Sequence, residues 1–351
     1  MISFGKKDII GLDIGSKNIK IVQLKNVKGS YKLDKLAIST LQPELIVDGS
    51  ILDSTRVVES IKELIESTDI EAKDVTLSVS GHSSVIIKRV TLPQMSEDEL
   101  EESIRFEAEQ YIPFDIEDVN LDFQILGLAE ENNMMDVLIV AVKKDKINEY
   151  VAVVRDAGLE PVIVDVDAFA LENMYELNYD IGEGSNVALV NIGASMININ
   201  ILKGGMSVFT RDSSVGGNLL TEALQREFTV SFQDAEKLIM EETVEGISQE
   251  ETAAVLNSAS SDIITEISRS FDYFRDTTNY ENIDEIMLCG GVALTNNFLS
   301  LLSERVGIDT KIANPFNNVE VPDSFDDDYI KSVAPIVSVA VGLAIRKIGD
   351  K

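Results

Sequence analysis

The chain has 351 residues, 44% of them hydrophobic, enough for two core-bearing lobes and unlike the composition of a disordered chain. A formal charge of −31, from 61 acidic against 30 basic residues, opposes nucleic-acid binding, which needs clustered Lys and Arg, and equally opposes direct docking on an anionic membrane. One cysteine, Cys289, excludes an internal disulfide, and one histidine, His82, leaves no cluster for a zinc or haem site and argues against serine-histidine or cysteine-histidine hydrolase chemistry.

Met1–Asp8 lead straight into an apolar strand rather than a secretory signal, and no apolar run is long enough to cross a bilayer, so a cytoplasmic protein is expected. That strand ends in Asp13-Ile14-Gly15-Ser16 and returns as the alternating run Ile19-Lys20-Ile21-Val22-Gln23-Leu24, a strand, tight turn, strand unit. Such a turn offers free backbone N–H groups, and Gly15 lets a phosphate approach the main chain. Asp13 is placed to hold Mg2+ through its waters, and Lys20 is the nearest cation for phosphate oxygens. Taken alone, the same residues also read as a hairpin whose Asp caps its own turn. A strand at Tyr31–Ser39, an amphipathic helix at Thr55–Ser67 and a strand at Val75–Ser80 complete a mixed α/β unit.

A second unit follows: strand Ser84–Leu92, helix Ser96–Ile112, strands Val119–Leu128 and Met135–Val142, and helix Lys144–Ala157. Ser96 and Glu99 form a capping box and Pro113 marks the stop. Leu100, Ile104, Ala108 and Tyr111 recur at helical spacing and are expected to face the unit's small sheet. Phe106, Tyr111 and Phe114 read either as core packing or as the wall of a peptide groove.

Strand Pro161–Val166 runs into a helix opened by Asp167 that extends toward Leu177, and a linker at Gly182–Gly184 precedes a second hairpin. Here the strand ends in Asn191-Ile192-Gly193-Ala194, then Ser195, and returns as Ile197-Asn198-Ile199-Asn200-Ile201-Leu202. The pattern of the first hairpin is therefore written twice, and two such turns facing one another would clamp a polyphosphate. Asn191 supplies no negative charge and cannot act as a base, which bears on hydrolysis more than on binding. Beyond Gly216-Gly217 the chain reads as mostly helical through Tyr280, interrupted by the acidic stretch Glu241–Glu245. Strand Glu285–Cys289 then passes through Gly290-Gly291 into a helix at Leu294–Val306, a strand-to-helix junction of the kind that binds anions; Gly216-Gly217 is a candidate for the same task. Strand Thr310–Ile312, a solvated loop at Asp326-Asp327-Asp328 and a small-residue helix at Pro335–Ile348 complete the chain.

Together these residues resemble the actin-like ATPase superfamily and, within it, the PilM family of type IV pilus assembly, over nearly the whole chain. The resemblance rests on Gly11-Leu12-Asp13-Ile14-Gly15-Ser16, on Arg105-Phe106-Glu107-Ala108-Glu109-Gln110-Tyr111-Ile112-Pro113-Phe114, on Asp165-Val166-Asp167-Ala168-Phe169-Ala170-Leu171 and on Ala313-Asn314-Pro315-Phe316. It implies an α/β, two-lobed actin-like fold, duplicated and ribonuclease-H-like, with a small α+β subdomain inserted in the first lobe. The divisions expected are 1–83 with 158–184 for the first lobe, 84–157 for the insertion, 185–217 with 284–351 for the second lobe, and 218–283 for its helical subdomain. The resemblance also implies bound ATP and Mg2+. Asp13, Gly15, Ser16 and Lys20 would form the first phosphate motif, and Asn191, Gly193, Ala194 and Ser195 the second. Gly216, Gly217, Glu236, Gly290 and Gly291 would lie near adenosine, with Asp167 beside an attacking water.

Asn191 stands where the family usually has Asp, and Ile239 where it often has Lys beside the base, so hydrolysis is expected to be weak or absent. The partner implied is the N-terminal cytoplasmic tail of a PilN-like inner-membrane protein, bound with the help of Phe106, Tyr111 and Phe114 and linked to the pilus motor platform. The protein would then be peripheral to the membrane, without inserting in it. Two other readings are open. One is a small-molecule kinase of the same superfamily, for which no substrate base apart from Asp167 is evident. The other is an FtsA-like division protein, whose C-terminal amphipathic anchor is not matched at Ala344–Lys351.

Overall fold

The computed structural model describes residues 9–129, 133–182, 184–278 and 282–350. The lead-in Met1–Asp8 and Tyr280, the expected end of the helical segment, lie outside them. In chain order the first half holds β1 (Ile9–Ile14), β2 (Asn18–Val27), β3 (Ser30–Thr40), β4 (Ile46–Val47), β5 (Ser50–Ile51), α1 (Ser54–Ser67), β6 (Asp74–Val79), β7 (Val85–Pro93) and α2 (Glu97–Ala108). It continues with β8 (Val119–Leu128), β9 (Met134–Lys143), α3 (Lys144–Asp156), β10 (Glu160–Val166) and α4 (Asp167–Asn178). The second half holds β11 (Asn186–Ile192), β12 (Ile197–Lys203), β13 (Met206–Ser213), α5 (Asn218–Phe228), α6 (Phe232–Ile239) and α7 (Gln249–Thr277). It ends with β14 (Glu285–Cys289), α8 (Phe298–Val306), β15 (Asp309–Ile312), β16 (Val319–Glu320), α9 (Asp327–Val333) and α10 (Ser338–Ala344).

Two sheets repeat one topology. In the first, β3, β2 and β1 are antiparallel neighbours and β6 and β10 continue parallel to β1; in the second, β13, β12 and β11 are antiparallel and β14 and β15 continue parallel to β11. The sequence duplication is thus a duplication of a whole sheet. β16 adds to the first sheet beside β3, carrying a strand from the second half back to the first lobe. A separate three-stranded sheet, β7-β9-β8, forms the insertion. Its α2 begins at the expected capping box, with Ser96 and Glu99 bonding reciprocally, and buries Leu100, Ile104 and Ala108 against that sheet. Tyr111 lies past the helix end and is 38% exposed rather than facing the sheet. α3 leaves the small sheet to pack beside α1 against the first sheet, where Tyr150, Val153 and Val154 join the core of that lobe.

The small-residue helix is shorter than expected. A 3-10 turn at Ala334–Val337 precedes α10, every residue of which is buried. Small residues there permit main-chain contact on two sides. A Cβ on Gly11 would lie 2.1 Å from the Ala340 carbonyl oxygen, and one on Gly342 would lie 1.7 Å from that of Ala170, so α10 is wedged between β1 and α4. Two further expectations are corrected. The junction after β14 is a 3-10 turn, Gly291–Leu294, and α8 starts only at Phe298, after Asn297 takes a left-handed conformation with φ 63°. Asp326-Asp327-Asp328 is not a solvated loop: Asp326 caps α9 by accepting from the Tyr329 N–H at 2.8 Å, and the next two carboxylates sit at the positive end of the helix.

Candidate functional site

The two hairpins match residue for residue. Asp13 pairs with Lys20 and Ile14 with Ile19 across the first, as Asn191 pairs with Asn198 and Ile192 with Ile197 across the second. Each turn closes with the same bond, from the Gly15 N–H to the Asn18 carbonyl at 3.1 Å and from the Gly193 N–H to the Met196 carbonyl at 2.9 Å. The tips face each other, the Ser195 hydroxyl donating to Ser16 Oγ at 2.8 Å. Between and beyond them lies a cavity of about 800 Å3, within the range of small-molecule sites. All the predicted nucleotide-site residues line it except Gly216.

Gly216 stands behind the second hairpin, where a Cβ would lie 2.6 Å from the Ala194 carbonyl oxygen. The amides that follow are engaged too: Gly217 donates to the Gly193 carbonyl at 2.9 Å and Asn218 to that of Ala194 at 2.7 Å. These bonds dock α5 on the hairpin and occupy the Gly217 and Asn218 amides. Gly290 and Gly291 both line the cavity; the Gly290 N–H is taken by the Pro335 carbonyl at 2.8 Å, and Gly291 is exposed. At φ 87°, Gly290 turns the chain so close to β11 that a Cβ would lie 2.3 Å from the Ile192 carbonyl oxygen, while a Cβ on Gly291 would meet nothing. Beyond it Ile239, Met240, Val292 and Leu294 give that end an apolar lining, and Met240 and Leu294 remain 72% and 44% exposed at its mouth.

The opposite end is ionic. Lys20 donates to Asp13 at 2.9 Å where the second hairpin has an amide pair, Asn191 donating to Asn198 at 3.0 Å. Asp167 opens α4 and accepts from the Ser78 hydroxyl at 2.5 Å and from Ser80. Burial, reinforced by the nearby Asp13 charge, pushes the Asp167 carboxyl up to about 6. The folded chain then holds this proton more tightly than the unfolded one, so the ionised form costs stability at pH 8, and the cost fades as pH falls through about 6 toward 3.8. Asp167→Asn is accordingly expected to stabilise the protein by about 2 kcal/mol at pH 8 and by almost nothing at pH 4. Urea titrations at the two pH values check this, and equal effects at both would contradict it.

Sequence reasoning missed several groups that shape the cleft. Lys17, in the first turn, forms an ion pair across the cleft with Glu236 on α6, and Thr221 donates to the other oxygen of that carboxylate at 2.8 Å. Tyr150 reaches from α3 to the Gly49 carbonyl at 2.8 Å. No spacing in the sequence links these residues; the lobes bring them together. Among the described residues no group of three or more His, Cys, Asp or Glu could hold a metal ion.

The family model for the type IV pilus assembly protein PilM matches residues 11–348. The chain belongs to the PilM family. A solved PilM-PilN type IV pilus biogenesis complex contains a chain 26% identical to this one, superimposing with a TM-score of 0.84 and covering 97% of this chain and 99% of that one. The ethanolamine utilization protein EutJ from Carboxydothermus hydrogenoformans is 14% identical, with a TM-score of 0.58 over 96% of this chain and 88% of that one. MreB5 of Spiroplasma citri, solved bound to ADP, is 16% identical, with a TM-score of 0.52 over 96% and 94%. These last two share the two-lobed actin-like fold.

A second cavity in this PilM-family chain, of about 580 Å3, lies between the inserted sheet and the two lobes. The edge strands of three sheets, β8, β10 and β13, border it. Leu138, Val140 and Val142, on the face of β9 turned away from α2, give it an apolar wall. Its polar side is mainly acidic: Asp122, Asp165, Glu172 and Glu176, against Arg346, which pairs with Asp165 at 3.3 Å. Burial pushes the Glu172 carboxyl up to about 7. The aromatic residues expected to form a peptide groove are elsewhere. Phe106, 70% exposed, and Tyr111 line neither cavity, and Phe114 packs on the core of the insertion beneath the Lys143 ammonium, 4.4 Å from its ring centre.

Proposed function

We propose that this protein is an ATP-binding scaffold of type IV pilus assembly that holds Mg-ATP between its two hairpins and an extended partner peptide beneath β8. The two turn tips in contact across a cavity lined by all but one of the expected residues support the nucleotide reading. Free amides of the turns and the open Gly291 would receive phosphate, Lys20 would supply positive charge, Asp13 would hold Mg2+ through water, and the apolar end would take the base. Mg2+, when bound, neutralises phosphate charge and fixes its orientation. Asn191 positions phosphate without adding a carboxylate, so the site is read as binding ATP and turning it over slowly.

The partner is read as the cytoplasmic N-terminal tail of a PilN-type inner-membrane protein, and through it the pilus motor platform. An exposed strand edge above an apolar wall is the surface to which an extended peptide adds by main-chain hydrogen bonds, and the acidic side favours a basic segment. Among the described residues no helix is long and apolar enough to cross a membrane, so membrane attachment is assigned to that partner, with the protein itself on the cytoplasmic side. We keep the domain division given above, except that α3 is grouped with the first lobe on which it packs. Membership of the PilM family favours this reading over the kinase and the division protein. Calorimetry with a synthetic PilN-type N-terminal peptide tests the groove. Leu126→Asp, at the groove wall, should weaken binding at least tenfold, and Phe106→Ala, on the far side of the insertion, less than twofold. The reverse order would place the peptide on α2.

A further inference from the structure

Three polar side chains stand in a row across the second sheet, where the register sets Asn191, Asn198 and Asp212 side by side on β11, β12 and β13. They are joined without a break. Asn191 Nδ2 donates to Asn198 Oδ1 at 3.0 Å, and Asn198 Nδ2 donates to Asp212 Oδ1 at 2.9 Å. The other carboxylate oxygen, Asp212 Oδ2, accepts from the Gly81 backbone N–H at 2.7 Å, which carries the chain of bonds out of the second lobe and into the first. Gly81, at φ 120°, forms the turn between β6 and β7, and its carbonyl accepts from Ser84 and Val85 at 2.9 Å each. The chain therefore begins at the second phosphate hairpin and ends at the first strand of the inserted sheet.

We propose that Asp212 is a positioning residue that transmits nucleotide occupancy at the second hairpin to the root of the inserted sheet, and hence to the groove beneath β8; this rests on the cleft and groove readings above. Asn198 is only 3% exposed, and its amide is used at both ends, as acceptor from Asn191 and as donor to Asp212. Rotating that amide exchanges donor for acceptor and breaks both links, so the row has discrete arrangements rather than a continuous range. A phosphate that recruits the Asn191 amide withdraws the donor that Asn198 receives. Asp212 is bound to both neighbours through separate oxygens and passes the change to Gly81. Contacts with two discrete arrangements, biased at one end by ligand, are the physical requirement for coupling between sites.

Asp212→Asn preserves the shape but offers one oxygen where two donors need acceptors, so one link is lost. Asn198→Ala cuts the row in its middle. Ser214→Ala removes a neighbouring cross-lobe contact, 3.4 Å from His82 Nδ1, that is outside the row. Amide hydrogen exchange of each full-length protein is followed with and without saturating Mg-ATP, with thermal melts establishing that each variant is folded. In the parent protein Mg-ATP should slow exchange about fivefold or more both in the hairpin turns and across β7 and β8. Asp212→Asn and Asn198→Ala should keep the hairpin protection and lose that of β7 and β8, and Ser214→Ala should keep both. Should Asp212→Asn fail to fold, Asn198→Ala decides. Protection of β7 and β8 that survives in the cut variants, or is absent from a parent protein whose hairpins are protected, overturns the relay alone. A parent protein with no protection anywhere overturns the nucleotide reading and the relay with it.

Discussion

Asp13→Ala should weaken Mg-ATP binding at least tenfold, a loss of about 1.4 kcal/mol or more, while affinity measured in the presence of EDTA changes far less. Asp13 is the last but one residue of β1, whose main chain is fixed by β2 on one side and β6 on the other. The residue is 9% exposed and its carboxylate is held by Lys20 at 2.9 Å, so the carboxylate is aimed before any ion arrives. Alanine leaves the turn amides in place but removes the group that would orient the waters of Mg2+ and frees Lys20 to meet phosphate directly. Loss of metal dependence with partial retention of nucleotide is therefore the expected signature. Since the Asp13 charge also raises the Asp167 carboxyl, the variant should show a lower Asp167 titration by carboxyl NMR. Undiminished Mg-ATP affinity would remove Asp13 from the metal site.

Gly342→Ala is the most disruptive single substitution the packing identifies. The added methyl would fall 1.7 Å from the Ala170 carbonyl oxygen, and the contacting atoms are main chain on both sides, so no rotamer relieves the overlap. Nor does α10 have room to retreat, because its opposite face meets β1, where a Cβ on Gly11 would lie 2.1 Å from the Ala340 carbonyl oxygen. Overpacking of a core commonly costs 1–3 kcal/mol, and a clash with fixed backbone belongs at or beyond the upper end, so about 3 kcal/mol or more is expected. The urea midpoint and soluble yield measure it; an unshifted midpoint would show that α10 and α4 separate easily.

What was legible in the sequence was local. The hairpin turns, the Ser96 and Glu99 capping box and the β14 glycine pair are each specified by a few adjacent residues, and the second hairpin could be read because it repeats the first. What was not legible depends on register or on elements distant in sequence. Asp212 is one of several polar residues in β13 until strand pairing sets it beside Asn198, and Lys17 shows no partner until α6 crosses the cleft. Phe106 and Tyr111 lie on and just past α2, on the face of the small sheet opposite the cavity with the apolar wall, a placement that only the packing of α2 decides. The acidic triplet from Asp326, expected as a solvated loop, stays exposed but opens a helix, because a carboxylate before an N-terminus accepts from its amides.

The return of β16 and α10 to the first sheet governs the order in which the molecule is completed at the ribosome. The amino-terminal half cannot cover one side of β1 until residue 344 has been made, since α10 supplies that cover. The second sheet waits on the same segment, because Val187, Leu189 and Met287 share a core with Val339 and Val341 of α10. Neither sheet is covered on both faces until the C-terminal segment has been made, so both wait with apolar surface exposed, a window in which a chaperone has something to hold.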